Sequence, residues 1–273
     1  WARLLGFTVI GAGKSTSARN DAVWDPQAQT VTLAGNVHPA PGYEDAFRLV
    51  GDDVAAQLAR RLLPGMLDRP IVDDLCEVCI IANHTDLDPD RPDLHVPLAR
   101  SVELPQIFRA RSDGGILNRR GTIDMFRGLR RADEQAFAGG VFVTVETPGP
   151  AFGAKFAKIG IPTSTDGRVM LIHNPMHLLG AEAVSSALSA VRLRKPTGGS
   201  DVRQRFDLVG RAQRDFLPGE VIRLIGEGNP GASSNVRHSI DGLQPLLHPA
   251  HAMGDGAPLP DYLAVGRRVK HRI

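Results

Sequence analysis

Short apolar runs predict three buried strands separated by polar segments. Residues 20–42 are rich in Asn, Asp, Pro and Gly, which predicts a loop with one further short strand at 30–33. The three stronger runs are LGFTVI at 5–10, GGVFVTVET at 139–147 and RVMLIH at 168–173.

Apolar residues at helical spacing predict three helices. The first ends at Pro64, and the other two cover about 71–83 and 175–192. The apolar positions of the first helix are Phe47, Val50, Val54, Leu58 and Leu62.

The pattern changes near residue 200. KPTGGS at 195–200 is typical of a linker, and the apolar runs beyond it are short and broken by Gly and Pro. We therefore predict two domains, residues 1–200 and residues 201–273.

Composition and charge argue against several classes of partner. The 273 residues carry a net charge of +2 with acidic and basic residues interspersed, so no patch is predicted to bind nucleic acid or a membrane surface. Aromatic residues make up only 5%, too few for base stacking. No apolar run approaches the ~20 residues of a membrane helix, and no signal peptide is visible. We expect a cytoplasmic protein with a small-molecule substrate.

Two cysteines, Cys76 and Cys79, form a C-x-x-C motif. A redox or zinc site is one interpretation. No second ligand pair accompanies them, and both fall in an apolar helical run. Buried thiols in a reducing compartment are therefore the favoured interpretation.

The segment FTVIGAGKS at 7–15 has the outline of a phosphate-binding loop but departs from both known patterns. A Walker A loop requires glycine where this chain has Thr8, and a dinucleotide loop requires a third glycine where it has Thr16. Lys14 then lies just past a predicted strand. It is either a substrate-side lysine that binds an anion or transfers a proton, or an exposed loop lysine.

Asp73 and Glu77 stand one turn apart on a predicted helix that is otherwise apolar. Two neighbouring carboxylates on a buried helix are costly unless they are paired, protonated or facing a polar cavity. The pair is a candidate for acid/base chemistry or for holding a cation. The alternative is a structural salt bridge to an arginine.

Two further segments contain candidate binding residues. Arg111, Ser112 and Asp113 precede two glycines, a combination that suits an anion site or a surface turn. His177 follows a predicted strand and opens a predicted helix, where it would contact substrate or cap the helix. The remaining histidines lack metal-ligand spacing.

The order of these stretches resembles the homoserine-dehydrogenase-like NAD(P)-dependent oxidoreductases that carry a C-terminal SAF domain. That group includes deoxyxylulose-phosphate reductoisomerase-like enzymes and sugar-acid oxidoisomerases. The resemblance implies an α/β catalytic domain with a mixed sheet at 1–200 and a small all-β SAF (β-clip) domain at 201–273. The stretches are GFTVIGAGK at 6–14, ANHT at 82–85, RSDGGIL at 111–117, GGVFVTV at 139–145 and HLLGAE at 177–182.

The resemblance also implies roles for the candidate residues. Lys14 would bind the substrate anion or polarise its carbonyl, and Asp73 and Glu77 would move protons or hold a divalent cation. Arg111 would grip the anion, with Ser112 and Asp113 beside it. His177, Gly180 and Glu182 would lie against the substrate or the nicotinamide of NAD or NADP.

Relatives begin with a Rossmann domain and form homo-oligomers, so we expect the same of the complete enzyme. Trp1 corresponds to the helix after that domain, and the chain alone is therefore expected to be inactive. Glu77 stands where homoserine dehydrogenases have a catalytic lysine. We therefore expect an oxidoreductase or oxidoisomerase acting on a sugar phosphate or sugar acid. The alternatives are homoserine dehydrogenase itself, a non-catalytic fragment and a carbohydrate-binding SAF module.

Overall fold

A computed structural model describes residues 2–64, 75–176, 181–198, 202–215, 217–218, 243–249 and 262–263. Its strands are β1 (Val9–Ser15), β2 (Ala22–Asp25), β3 (Thr30–Leu33), β4 (Asn36–Pro39), β5 (Asp88–Pro89), β6 (Leu98–Ala99), β7 (Thr122–Arg131), β8 (Gly139–Glu146), β9 (Val169–Met176), β10 (Phe206–Ala212), β11 (Leu243–Pro249) and β12 (Tyr262–Leu263). Its helices are α1 (Glu44–Phe47), α2 (Val54–Arg60), α3 (Leu75–Thr85), α4 (Leu104–Ile107), α5 (Pro150–Lys158) and α6 (Ala181–Leu188), the last followed by a π-helical stretch at Ser189–Leu193.

Nine strands of the described residues form one large mixed sheet, which confirms the α/β fold class. The strand order is β4-β3-β2-β7-β1-β8-β9. Strand β7 runs parallel to β1, β5, β6 and β2. Strands β8 and β9 extend the sheet in antiparallel fashion.

Apolar side chains cover both faces of this sheet. Helix α3 packs on one face, and α2, α4 and the segment before β7 pack on the other. The first core includes Ala12, Leu75, Val78, Ile123 and Met125. The second includes Ile10, Val54, Leu104, Phe108, Phe126 and Phe142.

The first strand begins later than the apolar run predicts. Residues 3–5 form a 3-10 turn, and β1 extends from Val9 through Ser15. Lys14 therefore lies inside the strand and not after its end. Pairing with β7 and β8 on both sides, invisible in the local sequence, determines these bounds.

The helix predicted from residue 47 to 62 is shorter in the structure, where α1 already ends at Phe47 and α2 covers Val54–Arg60. Residues 48–53 separate the two helices and include Gly51. The Asp53 carboxylate accepts a hydrogen bond from the backbone N–H of Ala56 at 3.0 Å, so it caps α2 and starts a new helix.

Three other segments differ from the sequence prediction. Residues 20–42 hold three strands rather than one, β2, β3 and β4, joined as a meander. Strand β9 continues to Met176, where a helix was predicted. The central strand β7 was not predicted, because TIDMFRGLRR lacks polar alternation and ends in basic residues.

The described C-terminal residues form a three-stranded antiparallel sheet in the order β11-β10-β12. Strands β10 and β11 both contact α3. Helix α3 therefore packs against both sheets. No helix in the described part of the chain is long and apolar enough to cross a membrane.

Candidate active site

Among the predicted site residues that the structure describes, Lys14 on β1 and Glu77 on α3 lie in direct contact. The Lys14 side chain is 2% exposed and its Nζ forms an ion pair with Oε2 of Glu77 on α3. A buried ammonium group is costly unless a carboxylate compensates it. The Glu77 side chain is 50% exposed, so the pair connects a buried cation to solvent.

The two glycines before Lys14 serve the sheet and not a phosphate loop. A Cβ at Gly13 would overlap the backbone carbonyl of Asp124 on β7. A Cβ at Gly11 would lie 3.2 Å from Oγ1 of Thr144 on β8. Both glycines therefore allow neighbouring strands to approach closely, which explains the G-A-G spacing without a nucleotide.

Lys14 belongs to a row of side chains that crosses the sheet. In register it neighbours Met125 on β7 and Val141 on β8, and Val141 neighbours Asn174 on β9. Residues in such a row share one face. Val141 is 46% exposed and Asn174 is also exposed, so the row runs from buried Lys14 to an open part of the sheet. The buried residue Arg127 follows Met125 by two positions on this face.

The arrangement suits proton transfer. An amine and a carboxylate are in direct contact, and only the carboxylate reaches solvent. A proton can therefore pass between solvent and the buried face of the sheet through Glu77.

Arg111, Ser112 and Asp113 lie at the other end of β1. They form a 3-10 turn that ends at Gly114, whose φ is +86°. All three are exposed, and Asp113 pairs with Arg120 at 3.3 Å. Arg120 also binds Glu146, which lies beside the start of β1. The structure therefore does not bring this turn to Lys14, and its role in binding remains a prediction.

The remaining predicted residues divide into two groups. Asp73, His177 and Gly180 lie outside the described residues. Glu182 lies in the first turn of α6 and is exposed.

The cysteines of the C-x-x-C motif are both free thiols on α3. Cys76 is exposed, and Cys79 is partly buried with its Sγ 3.4 Å from the carbonyl of Phe206. Burial raises the pKa of the Cys79 thiol. No cluster of three or more His, Cys, Asp or Glu side chains suited to a metal occurs in the described residues.

Asp124 on β7 is a buried carboxyl group that the sequence analysis missed. Strand β5 pairs with residues 122–123 of β7, and β6 pairs with residues 127–128. The loop at 90–97, which connects β5 to β6, passes beside Asp124. Oδ1 of Asp124 accepts backbone N–H groups from His95 at 2.9 Å and Val96 at 3.2 Å. Burial raises the pKa of Asp124 to about 6, outweighing the His95 charge and these hydrogen bonds. A single acid among apolar residues in TIDMF was the available signal.

The loop that Asp124 holds is strained. Leu94 and Val96 have φ of +56° and +42°, a region that branched side chains rarely adopt. Between them, His95 Nε2 lies 2.8 Å from Oδ2 of Asp90, whose side chain is fully buried. Asp90 in turn accepts the backbone N–H of Asn118 at 3.0 Å. This network fixes the chain beside β7.

The family model described as oxidoreductase DRL, catalytic domain, matches residues 1–183. The matched region contains the whole nine-stranded sheet and the Lys14–Glu77 pair. No curated protein matches the chain.

Proposed function

The chain belongs to the family of DRL oxidoreductase catalytic domains, and from this premise we propose that it acts on a small, anionic, polyhydroxylated substrate. The substrate is a sugar phosphate or sugar acid, and the hydride carrier is NAD or NADP. The observation that carries this proposal is the ion pair of the buried Lys14 with the half-exposed Glu77 on the sheet face within the matched residues.

The proposed role of the pair is to supply the proton that reduction consumes and to accept the proton that oxidation releases. Reduction of a carbonyl requires a proton at its oxygen, and oxidation of an alcohol releases one. The Lys14 ammonium donates a hydrogen bond to that oxygen and stabilises its developing charge. Glu77, half exposed, exchanges the proton with solvent.

The position of the amine distinguishes this proposal from homoserine dehydrogenase. Lys14 reaches the α3 carboxylate from β1, whereas the resemblance places the lysine of homoserine dehydrogenases on the helix itself. An amine supplied from β1 and facing Glu77 supports the oxidoreductase and oxidoisomerase group instead.

The described residues do not fit the pyrophosphate of a dinucleotide. Gly11 and Gly13 are occupied by strand contacts, and the 3-10 turn Ala18–Asn20 follows β1 in place of a helix whose N-terminus would bind phosphate. We therefore propose that a separate Rossmann domain binds the cofactor. In this proposal residues 201–273 form the SAF domain.

The test is substrate binding by the purified chain. Isothermal titration calorimetry against a panel of sugar phosphates and sugar acids is expected to find binding by at least one. Lys14→Met should weaken it at least tenfold, about 1.4 kcal/mol. The matched control is Lys155→Met on the exposed side of α5, which should leave affinity unchanged. Equal affinity in both variants, or no binding by any member of the panel, would contradict the proposal.

A further inference from the structure

We propose that Asn83 is a positioning residue, which holds Glu77 against Lys14 by tying the C-terminal sheet to α3. The mechanical coupling rests on the geometry alone. Its consequence for turnover rests on the proposed function.

The side chain of Asn83 pairs with β10 as a neighbouring strand would. Its Oδ1 accepts the backbone N–H groups of Arg205 at 2.7 Å and Phe206 at 2.9 Å, and its Nδ2 donates to the carbonyl of Phe206 at 2.9 Å. The backbone carbonyl of Asn83 accepts a fourth bond, from Arg203 N–H at 3.1 Å. One residue of α3 therefore satisfies the backbone at the start of β10, where unpaired groups would be costly.

Other contacts place the same sheet on α3. Leu247 of β11 is 1% exposed and packs into the core that contains Leu75 and Val78. Its N–H donates to the carbonyl of Pro92 at 2.8 Å. Arg205 pairs with Asp88 in the segment that follows α3. The C-terminal sheet therefore packs along one flank of the helix.

The C-terminal sheet adds to the packing that stabilises α3. Helical stability in proteins comes mostly from tertiary packing rather than from intrinsic propensity. Leu75 and Val78 pack on Ala12, Ile123 and Met125 of the large sheet, and Leu247 of β11 joins the same core. Glu77 lies less than two turns before Asn83, so loss of the contacts with the C-terminal sheet should loosen Glu77 and its contact with Lys14.

The experiment measures the reactivity of the Lys14 amine in the full chain, which needs no substrate. An amine-acylating reagent is applied to the native protein, and labelling at each lysine is followed by peptide mass spectrometry. Asn83→Leu should speed labelling of Lys14 about five- to tenfold through local opening. Lys155 and Lys158, exposed on α5, are internal references and should not change.

A graded variant protects the test against misfolding. Asn83→Asp keeps the two accepted hydrogen bonds but replaces the donated bond with an oxygen facing the Phe206 carbonyl. It should give a smaller rise in Lys14 labelling than Asn83→Leu. If Asn83→Leu is insoluble, the rate of Lys14 labelling in Asn83→Asp tests the proposal alone.

Two controls separate positioning from general loss of stability. Met170→Ala leaves a cavity in the core beneath α5 and should lower stability without changing Lys14 labelling. Glu77→Gln should speed Lys14 labelling with Asn83 intact. Because Asn83 acts through Glu77, Glu77→Gln combined with Asn83→Leu should label no faster than Glu77→Gln alone.

Three outcomes would overturn the proposal: wild-type labelling in both Asn83 variants, an equal rise in Met170→Ala, or additive rates in the double variant. In an enzyme with an identified substrate, Asn83→Asp should lower kcat with little change in KM. Coupled labelling without substrate binding would contradict the proposed function and leave the role of Asn83 standing.

Discussion

Replacing Asp124 by asparagine tests whether burial or hydrogen bonding controls the pKa of this carboxyl group. The amide side chain would keep an oxygen at the Oδ1 position, which accepts N–H groups from Met125 at 2.7 Å, His95 and Val96. The variant therefore removes the titration and keeps these three hydrogen bonds, two of which hold the loop at 90–97, while an amide nitrogen replaces Oδ2, which also accepts the His95 N–H at 3.1 Å.

The direction of the Asp124 pKa shift determines whether stability rises or falls with pH. The pKa of Asp124 is raised from 3.8 to about 6 in the folded protein, so the folded state binds this proton more tightly than the unfolded chain. The resulting stabilisation is complete below pH 3.8 and is lost as the pH rises through 6. Linkage gives a limit of about 3 kcal/mol and a gain of about 1.4 kcal/mol between pH 7.5 and pH 5.

Urea unfolding at several pH values provides the assay, with tryptophan emission, to which the buried Trp24 contributes, as the signal. Other groups also titrate, so the measured quantity is the difference between wild type and Asp124→Asn. Wild type should gain about 1.4 kcal/mol relative to the variant between pH 7.5 and pH 5. Parallel curves, or a relative loss for wild type, would show that the hydrogen bonds and the His95 charge outweigh burial.

Two other substitutions test the packing of the fold. Arg61 is fully buried and binds both oxygens of Glu103, so Arg61→Met should lower the free energy of unfolding by about 3–5 kcal/mol, because Glu103 is left charged and unpaired. Combining it with Glu103→Leu should restore part of this loss in the same urea assay. Gly13→Ala should prevent close pairing of β1 with β7 and yield insoluble protein or a thermal midpoint lowered by ~10 °C or more. Gly51→Ala, where a Cβ meets open space, should leave solubility and the midpoint near wild type.

Local sequence patterns predicted the strands and helices that are marked by a continuous apolar run. GGVFVTVET gave β8 almost to the residue, and the apolar run at 71–83 overlaps α3. Strand β7 was not predicted because it is buried along both faces and both edges. It therefore lacks the alternation of polar and apolar residues that marks a half-exposed strand.

The candidate site was predictable in its residue types and not in its geometry. Lys14 and Glu77 were selected separately, and only the packing of α3 on β1 joins them. The structure also decides between the alternative interpretations of each residue. Lys14 is not an exposed loop residue, and Glu77 pairs with a lysine rather than an arginine. Asp124 and Asn83 were given no role from the sequence because most of their partners are backbone groups, which no side-chain motif identifies.

The position of β1 between β7 and β8 has a consequence for synthesis on the ribosome. Gly11 pairs with Thr122 and Val9 with Val145, so both partners of β1 follow it by roughly 110 residues or more. At typical elongation rates this amounts to on the order of 10 s during which an apolar strand has emerged without a neighbour. The meander of β2, β3 and β4 closes locally and can form in that interval. Nascent chains of this protein should therefore depend on chaperone protection of residues 9–15 until β7 and β8 have emerged.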